Sequence, residues 1–210
     1  MDWNNYWKNY DQKEVLRHQA ALDMIHNGTA LDLACGDGFF FSKFREKGIQ
    51  GVGLYISEEA VGKAKENGLD ARVFDFSKNA LPFPDSSFGT AVILDSLQYF
   101  NDPFWVLQEM RRVAKNFIVV QSPNFSSLPS RWQMLLGKVP ENNRPKRAGI
   151  YWFSWPILKA MLEKSGFAVE ETRVNSFFNR FPGLKQLMLL MAKIRPSVFA
   201  LQFIIKARKI

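Results

Sequence analysis

The sequence holds a single cysteine, Cys35, and two histidines, His18 and His26, among 210 residues. One thiol excludes a disulfide framework within the chain and points to a reducing compartment. With so few soft ligands, no metal site is expected. Long apolar runs are missing as well. The most apolar stretch, 184–205, is broken by Lys185, Lys193, Arg195 and Pro196. That is too much charge for a membrane span, and no membrane partner is expected. The opening residues Met1-Asp2-Trp3-Asn4-Asn5-Tyr6 lack a basic patch followed by an apolar run, so no signal peptide is expected and the location reads as cytoplasmic. Internal repeats and low-complexity segments are absent. What is present is enough apolar material, 47% of the residues, for one folded domain over residues 1–210.

Acid is the scarcer charge. Twenty-eight Lys and Arg stand against twenty Asp and Glu, a formal net charge of +8. Between residues 111 and 147 there are eight basic residues and one acid, Glu141. Within it, residues 131–147, with Arg144, Lys146 and Arg147, suit an anionic acceptor or an acidic protein partner; a solvated basic surface explains the charge equally well.

Apolar segments alternate between strand-like and helix-like spacing, which predicts a parallel sheet covered on both faces. Helices are expected over 11–27, from about 39 to 47, from 58, and over 104–113, 156–165 and 184–193. Strands are expected at 30–34, 51–55, 71–74, 91–94, 117–121, 169–174 and 199–207. Ser57 is placed to cap the helix that follows it, with Glu58 and Glu59 at its positive end. Residues 123–150, rich in Pro, Asn, Ser and Arg, read as an excursion from the sheet with a short helix at 131–136. Residues 1–12, with Trp3, Tyr6, Trp7 and Tyr10, read either as a cover over the site or as a loosely packed tail. Tyr151, Trp152, Phe153 and Trp155 read as core more readily than as a substrate platform.

In an open α/β sheet, ligands bind beyond the carboxyl ends of the strands where strand order reverses. The first strand runs into Asp32-Leu33-Ala34-Cys35-Gly36-Asp37-Gly38. Gly36, Gly38 and the small Ala34 allow a ligand to approach the backbone closely. A dinucleotide fingerprint needs a third glycine, and that position is Phe41. Asp37 also sits where a pyrophosphate would rest, and a carboxylate there repels phosphate while tolerating a cationic ligand.

The same residues resemble motif I of class I S-adenosylmethionine-dependent methyltransferases. The likeness continues through Asp75-Phe76, the block Leu81-Pro82-Phe83-Pro84-Asp85-Ser86-Ser87-Phe88, and Leu107-Gln108-Glu109-Met110-Arg111-Arg112-Val113. Ser96-Leu97-Gln98, Ser122-Pro123-Asn124-Phe125 and residues 131–140 are similar to the MetW family of methionine biosynthesis. The resemblance implies a Rossmann-like, doubly wound α/β fold with a seven-stranded mixed sheet in the order 3-2-1-4-5-7-6, its last strand antiparallel. It implies S-adenosylmethionine as cofactor. Asp32 is expected near the methionine amino group, with Ala34, Gly36 and Gly38 under the cofactor. Asp75 and Phe76 are expected at the adenine, the carboxylate accepting from its exocyclic amine. Tyr55 and Ile56 are expected at the end of the second strand, beside the ribose, and Asp95 faces the methyl-transfer space. Asp95 and Tyr99 are the candidates for orienting the acceptor.

The sequence departs from that family at Tyr55, where an acid usually accepts from both ribose hydroxyls. Charge-assisted bonds of that kind contribute roughly 1.5–3 kcal/mol each, so a carboxylate restored at position 55 is expected to tighten cofactor binding. Three functions remain: methyl transfer to a small-molecule acceptor; a MetW-like non-catalytic or regulatory subunit that binds a partner enzyme of methionine biosynthesis; and methylation of nucleic acid. The last ranks lowest, because the chain carries no base-flipping motif and no appended RNA-binding module.

Overall fold

The computed structural model describes residues 2–8, 10, 16–25, 28–76, 79–140, 151–176 and 182–210. Its strands are β1 (Thr29–Leu33), β2 (Gln50–Tyr55), β3 (Ala71–Val73), β4 (Phe88–Leu94), β5 (Ala114–Pro123), β6 (Phe167–Ser176) and β7 (Ala200–Lys209). They form one seven-stranded sheet in the order β3-β2-β1-β4-β5-β7-β6. The β3 to β5 side is parallel throughout, and β7 runs antiparallel to both β5 and β6. This is the expected doubly wound, Rossmann-like topology. Its strand order reverses at β1, between β2 and β4, and opens a crevice at the carboxyl edge there.

Helices α1 (Trp3–Lys8), α2 (Leu16–Leu22), α3 (Phe39–Glu46), α4 (Glu58–Glu66), α5 (Pro103–Val113), α6 (Leu128–Leu135), α7 (Trp155–Lys164), α8 (Pro182–Ile194) and α9 (Pro196–Phe199) connect and cover the strands. Strand residues alternate between two cores, as the period-2 pleat requires. Ala91, Ile93, Ile118, Val120, Phe203 and Ile205 pack with Leu107 and Met110 of α5 and Leu158 of α7. The intervening Val92, Val119 and Ile204 pack on the other face with Trp7 of α1, Ala21 of α2, Phe44 of α3 and Val61 of α4.

The caps follow from the sequence. Ser57 accepts from the Ala60 amide at 3.3 Å and starts α4. Asp102 accepts from the Trp105 amide at 3.0 Å, with Pro103 in the first turn of α5. Several boundaries differ from expectation, α6 for one starting at Leu128 where residue 131 was expected. The described part of the second helix ends at Leu22, earlier than residue 27. The last strand starts at Ala200, because Pro196 opens a short helical turn through Phe199. Strand β5 runs on to Pro123, since β7 supplies a partner as far as Gln202. The excursion therefore begins at Asn124, whose side-chain amide donates to the carbonyls of Pro196, Ser197 and Ala200.

The Leu81–Phe88 block is held by α5. Arg112 donates to the carbonyls of Leu81 and Phe83 at 2.9 and 2.7 Å and to the Asp85 carboxylate at 3.0 Å. It also forks onto Glu109 at 2.9 and 2.8 Å, while Glu109 accepts from the Leu81 amide at 2.7 Å. These bonds hold the Arg112 pKa up and the Glu109 pKa down, Arg112 being the main cause of the latter. The most recognisable block of the sequence is therefore a structural strap leading into β4.

Candidate functional site

Every sequence-predicted site residue lies at one edge of the sheet. Asp32 and Ala34 end β1, and Gly36 and Gly38 form the loop into α3. Tyr55 and Ile56 end β2, Asp75 and Phe76 follow β3, and Asp95 and Tyr99 follow β4. Two non-glycine residues at that edge have left-handed backbone, Ala34 at φ 65° after β1 and Asp95 at φ 53° after β4. Such conformations cost free energy and cluster where a site fixes the chain.

Asp32 is 3% exposed, and its Oδ2 has no hydrogen-bond partner among the described residues. Burial raises its pKa well above the usual carboxylate range, because the low dielectric disfavours the charged form. A buried carboxylate oxygen without a partner is costly, and a cationic ligand would supply the missing donor. Gly36 has φ 60° and is buried, so its amide plane can face a ligand with no Cβ between. Gly38 does other work. A Cβ there would lie 2.5 Å from Leu69 Cδ1 and 2.9 Å from Ala64 Cβ, so its missing side chain lets α3 start against α4. Asp37 Oδ1 accepts from the Phe39 amide at 3.2 Å. The carboxylate thereby occupies the helix start where a phosphate would rest, in keeping with the failed dinucleotide fingerprint.

Over β2 and β4 the edge is roofed by aromatic rings. Trp7, 3% exposed, donates its indole N–H to the Tyr55 hydroxyl at 3.0 Å. Trp3 meets Tyr55 at 6.2 Å and Tyr99 at 5.8 Å between centroids, both edge-on. Asn4 accepts from the Ser57 hydroxyl at 2.6 Å. Helix α1 packs on this edge through Trp3 and Trp7. Its presence bears on the expected gain from a carboxylate at position 55. Tyr55 is a buried member of this cover, its pKa raised by burial, and an acid there would sit against two tryptophans.

The remaining candidates are spread along the same edge. Ile56 is exposed, while Phe76 is buried in the core with its ring 4.7 Å from that of Phe100. At the end of β4, Gln98 donates its amide to the Asp95 carbonyl at 3.0 Å and carboxylate at 3.2 Å. Arg17 of α2 approaches the other Asp95 oxygen at 3.7 Å. Burial raises the Asp95 pKa, against Arg17 and Gln98, which lower it. Burial and Asp95 together raise that of Tyr99. Arg17 Nε and Gln98 Oε1 are buried without partners among the described residues.

Arg17, Gln98 and the Trp7–Tyr55 bond escaped the sequence reading. Arg17 lies on a helix far from any motif, and its tie to Asp95 spans the whole cofactor-side topology. Gln98 lies in the family-like triplet Ser96-Leu97-Gln98, and its side-chain amide three residues after Asp95 is the available signal. Of the aromatic run after the excursion, Phe153 is core at 1% exposed, and Trp155 is half-buried against Phe203. Tyr151 and Trp152 stay exposed, stacked on Phe153 and Phe125. Arg144, Lys146 and Arg147 lie outside the described residues.

A parallel sheet with an antiparallel seventh strand, a glycine turn after β1 and a buried acid beneath it define the class: the S-adenosylmethionine-dependent methyltransferase fold of class I. Residues 16–167 match the family described as methionine biosynthesis protein MetW, and the chain belongs to that family. Among curated relatives, malonyl-acyl-carrier-protein O-methyltransferase of Erwinia pyrifoliae is 27% identical over 146 residues, 64% of this chain and 56% of that one. The bifunctional methionine biosynthesis protein MetXA/MetW of Rhodopirellula baltica is 24% identical over 147 residues, 65% of this chain and 23% of that one. The chain thus spans less than two thirds of either relative. Of solved structures, a Thermotoga maritima protein described as a methyltransferase dependent on S-adenosylmethionine, possibly acting on histamine, superposes with TM-score 0.67. It is 21% identical, over 92% of this chain and 88% of that one, a likeness of fold.

Proposed function

We propose that this chain binds S-adenosylmethionine at the carboxyl edge of β1, β2 and β4 and transfers its methyl group to a small-molecule acceptor. The observation that carries the reading is the buried Asp32 carboxylate, whose Oδ2 has no partner among the described residues. The cofactor's ammonium is a donor of the right charge for it. Ala34 and Gly36 give the close backbone approach beneath the ligand, and Gly38 sets the turn. Asp75 accepts from the adenine amine. Because the Phe76 ring is turned into the core, its main chain is the part that meets the adenine. Tyr55 and Ile56 flank the ribose, with Tyr55 offering its hydroxyl proton while its oxygen accepts from Trp7. When bound, the cofactor supplies a methyl on a sulfonium, with a neutral thioether as leaving group. The chain's share is alignment and exclusion of water. Trp3, Trp7 and Tyr55 close the cofactor side, while Asp95 and Tyr99 orient the acceptor and Gln98 holds Asp95 in place.

The test is equilibrium binding of S-adenosylmethionine and of 5′-methylthioadenosine, which lacks the amino-acid end. Asp32→Asn keeps the shape and removes the charge. We expect it to weaken S-adenosylmethionine by about tenfold or more, the worth of one charge-assisted bond, and to leave 5′-methylthioadenosine nearly unchanged. Equal loss for both ligands, or no binding by folded wild type, would overturn the reading.

One observation favours a second reading, a regulatory subunit for a partner enzyme of methionine biosynthesis. Tyr55 replaces the ribose-binding acid, and its oxygen is already engaged by Trp7. On that reading the cofactor binds while no S-adenosylhomocysteine accumulates with any acceptor.

A further inference from the structure

Helices in soluble proteins turn their apolar stripe inward. Two helices of this chain turn one outward. In α8, Ala192 is fully buried, whereas Leu187, Leu190 and Ile194, on the opposite side of the helix, are 51%, 56% and 71% exposed. In α6, Trp132 and Leu135 are 64% and 79% exposed, and Leu128 lies one turn before them on the same face. Both helices stand at the carboxyl edge of the sheet. The first follows β5, the second follows β6 and leads through α9 into β7. Asn124 and Ser126, just ahead of α6, bond to the Pro196 and Ser197 carbonyls of α9. The two stripes therefore belong to one end of the molecule, the end that carries the candidate site.

The charge around them has one sign. Residues 128–140 and 182–199 contain five cations, Arg131, Lys138, Lys185, Lys193 and Arg195, and no acid. Arg131, Lys138, Lys193 and Arg195 are exposed near the two stripes, while Lys185 is exposed on the side of α8 opposite its stripe. Cations flanking an exposed apolar stripe with a tryptophan are the pattern of a helix that lies in a lipid headgroup layer. A protein partner fits less well. Three of the five cations are lysines, which are depleted at protein interfaces. No helix among the described residues is long and apolar enough to cross a membrane, so contact would be with the surface alone. We infer that the α6 and α8 edge docks on an anionic lipid surface, holding the open end of the methyl-transfer site against it. This departs from the sequence reading, which gave no membrane partner, and it does not depend on turnover.

Flotation of the full chain with vesicles tests it. We expect binding to phosphatidylcholine vesicles containing phosphatidylglycerol, little binding to phosphatidylcholine alone, and loss at high salt. Trp132→Ser with Leu190→Ser should lower the partition coefficient about tenfold, and Lys138→Gln with Lys193→Gln by a similar factor. Both pairs are surface changes and should leave the thermal midpoint near wild type. Absence of binding to the anionic vesicles overturns the inference, as does binding that neither pair reduces. Two further outcomes overturn it in favour of a protein occupant: a stable dimer in light scattering that the apolar pair dissolves, or equal displacement from vesicles by polyglutamate and by free phosphatidylglycerol headgroup.

Discussion

The two halves of the sheet's carboxyl edge are finished differently. Above β2, β1 and β4, the edge is closed by rings from α1 that pack and hydrogen-bond onto Tyr55 and Tyr99. Beyond β5 and β7, α6 and α8 leave Trp132, Leu135, Leu190 and Ile194 in solvent. Burial stabilises by roughly 25 cal/mol per Å² of apolar surface, so the first half draws its stability from within the chain. The second half leaves the same kind of surface unused. Water exclusion is built in where a cofactor would sit, and contact is left open where an acceptor would enter.

The contrast can be broken most severely at Tyr55. Tyr55→Asp places a carboxylate under Trp3 and Trp7 and removes the acceptor of the Trp7 N–H. We expect about 3 kcal/mol of destabilisation in urea unfolding, from an unpaired buried charge. A variant as stable as wild type would mean that the cover opens readily and that the closed half is not closed.

The next effect concerns acid. His18 is 4% exposed against Phe39 and Phe40, and its Nδ1 has no partner among the described residues. Burial, with Arg17 beside it, lowers its pKa from 6.5 to about 4. Between those values the unfolded chain takes up a proton that the folded chain refuses. Stability is therefore present above pH 6.5 and is lost as pH falls towards 4, by on the order of 1–2 kcal/mol after allowing for partial solvation. Unfolding curves at pH 7 and pH 5 should converge for His18→Gln relative to wild type. An identical pH dependence in the two proteins would remove His18 from the account.

The smallest expected effect sharpens the comparison. Trp7→Phe keeps the ring and deletes one buried hydrogen bond, costing about 1 kcal/mol. Trp132→Phe, on the open half, should stay within about 0.5 kcal/mol of wild type. Equal costs at the two positions would show that both halves are packed alike.

How much of this was legible in the sequence follows the same division. The alternation of strands and helices, the loop after β1 and the cap at Ser57 rest on local signals, namely periodicity, glycine spacing and a polar residue ahead of an apolar run, whereas the strand order came with the family resemblance. The roles of Gly38 and Tyr55 were not local. Gly38 is explained by Leu69 and Ala64, some thirty residues on, and Tyr55 by Trp7, 48 residues before it. The block at Leu81 marked the family clearly, yet it works as a strap tied by Arg112, a role that only the fold brings into view. The outward stripes of α6 and α8 were invisible for a related reason. Helical spacing reveals that a face is apolar, while which way it points depends on neighbours far away in sequence.

The central claim is that the buried Asp32 Oδ2, which has no partner among the described residues, is completed by a cationic ligand. Burial holds its pKa high in the free protein, so a raised fraction is protonated, and an ammonium beside it restores the ionised form. Titration calorimetry with S-adenosylhomocysteine, repeated in two buffers of different ionisation enthalpy at one pH, reads the proton directly. The account predicts release of a proton on binding, tighter binding as pH rises through the free protein's Asp32 pKa, and loss of both in Asp32→Asn. Binding that is independent of buffer and unchanged in Asp32→Asn would contradict it.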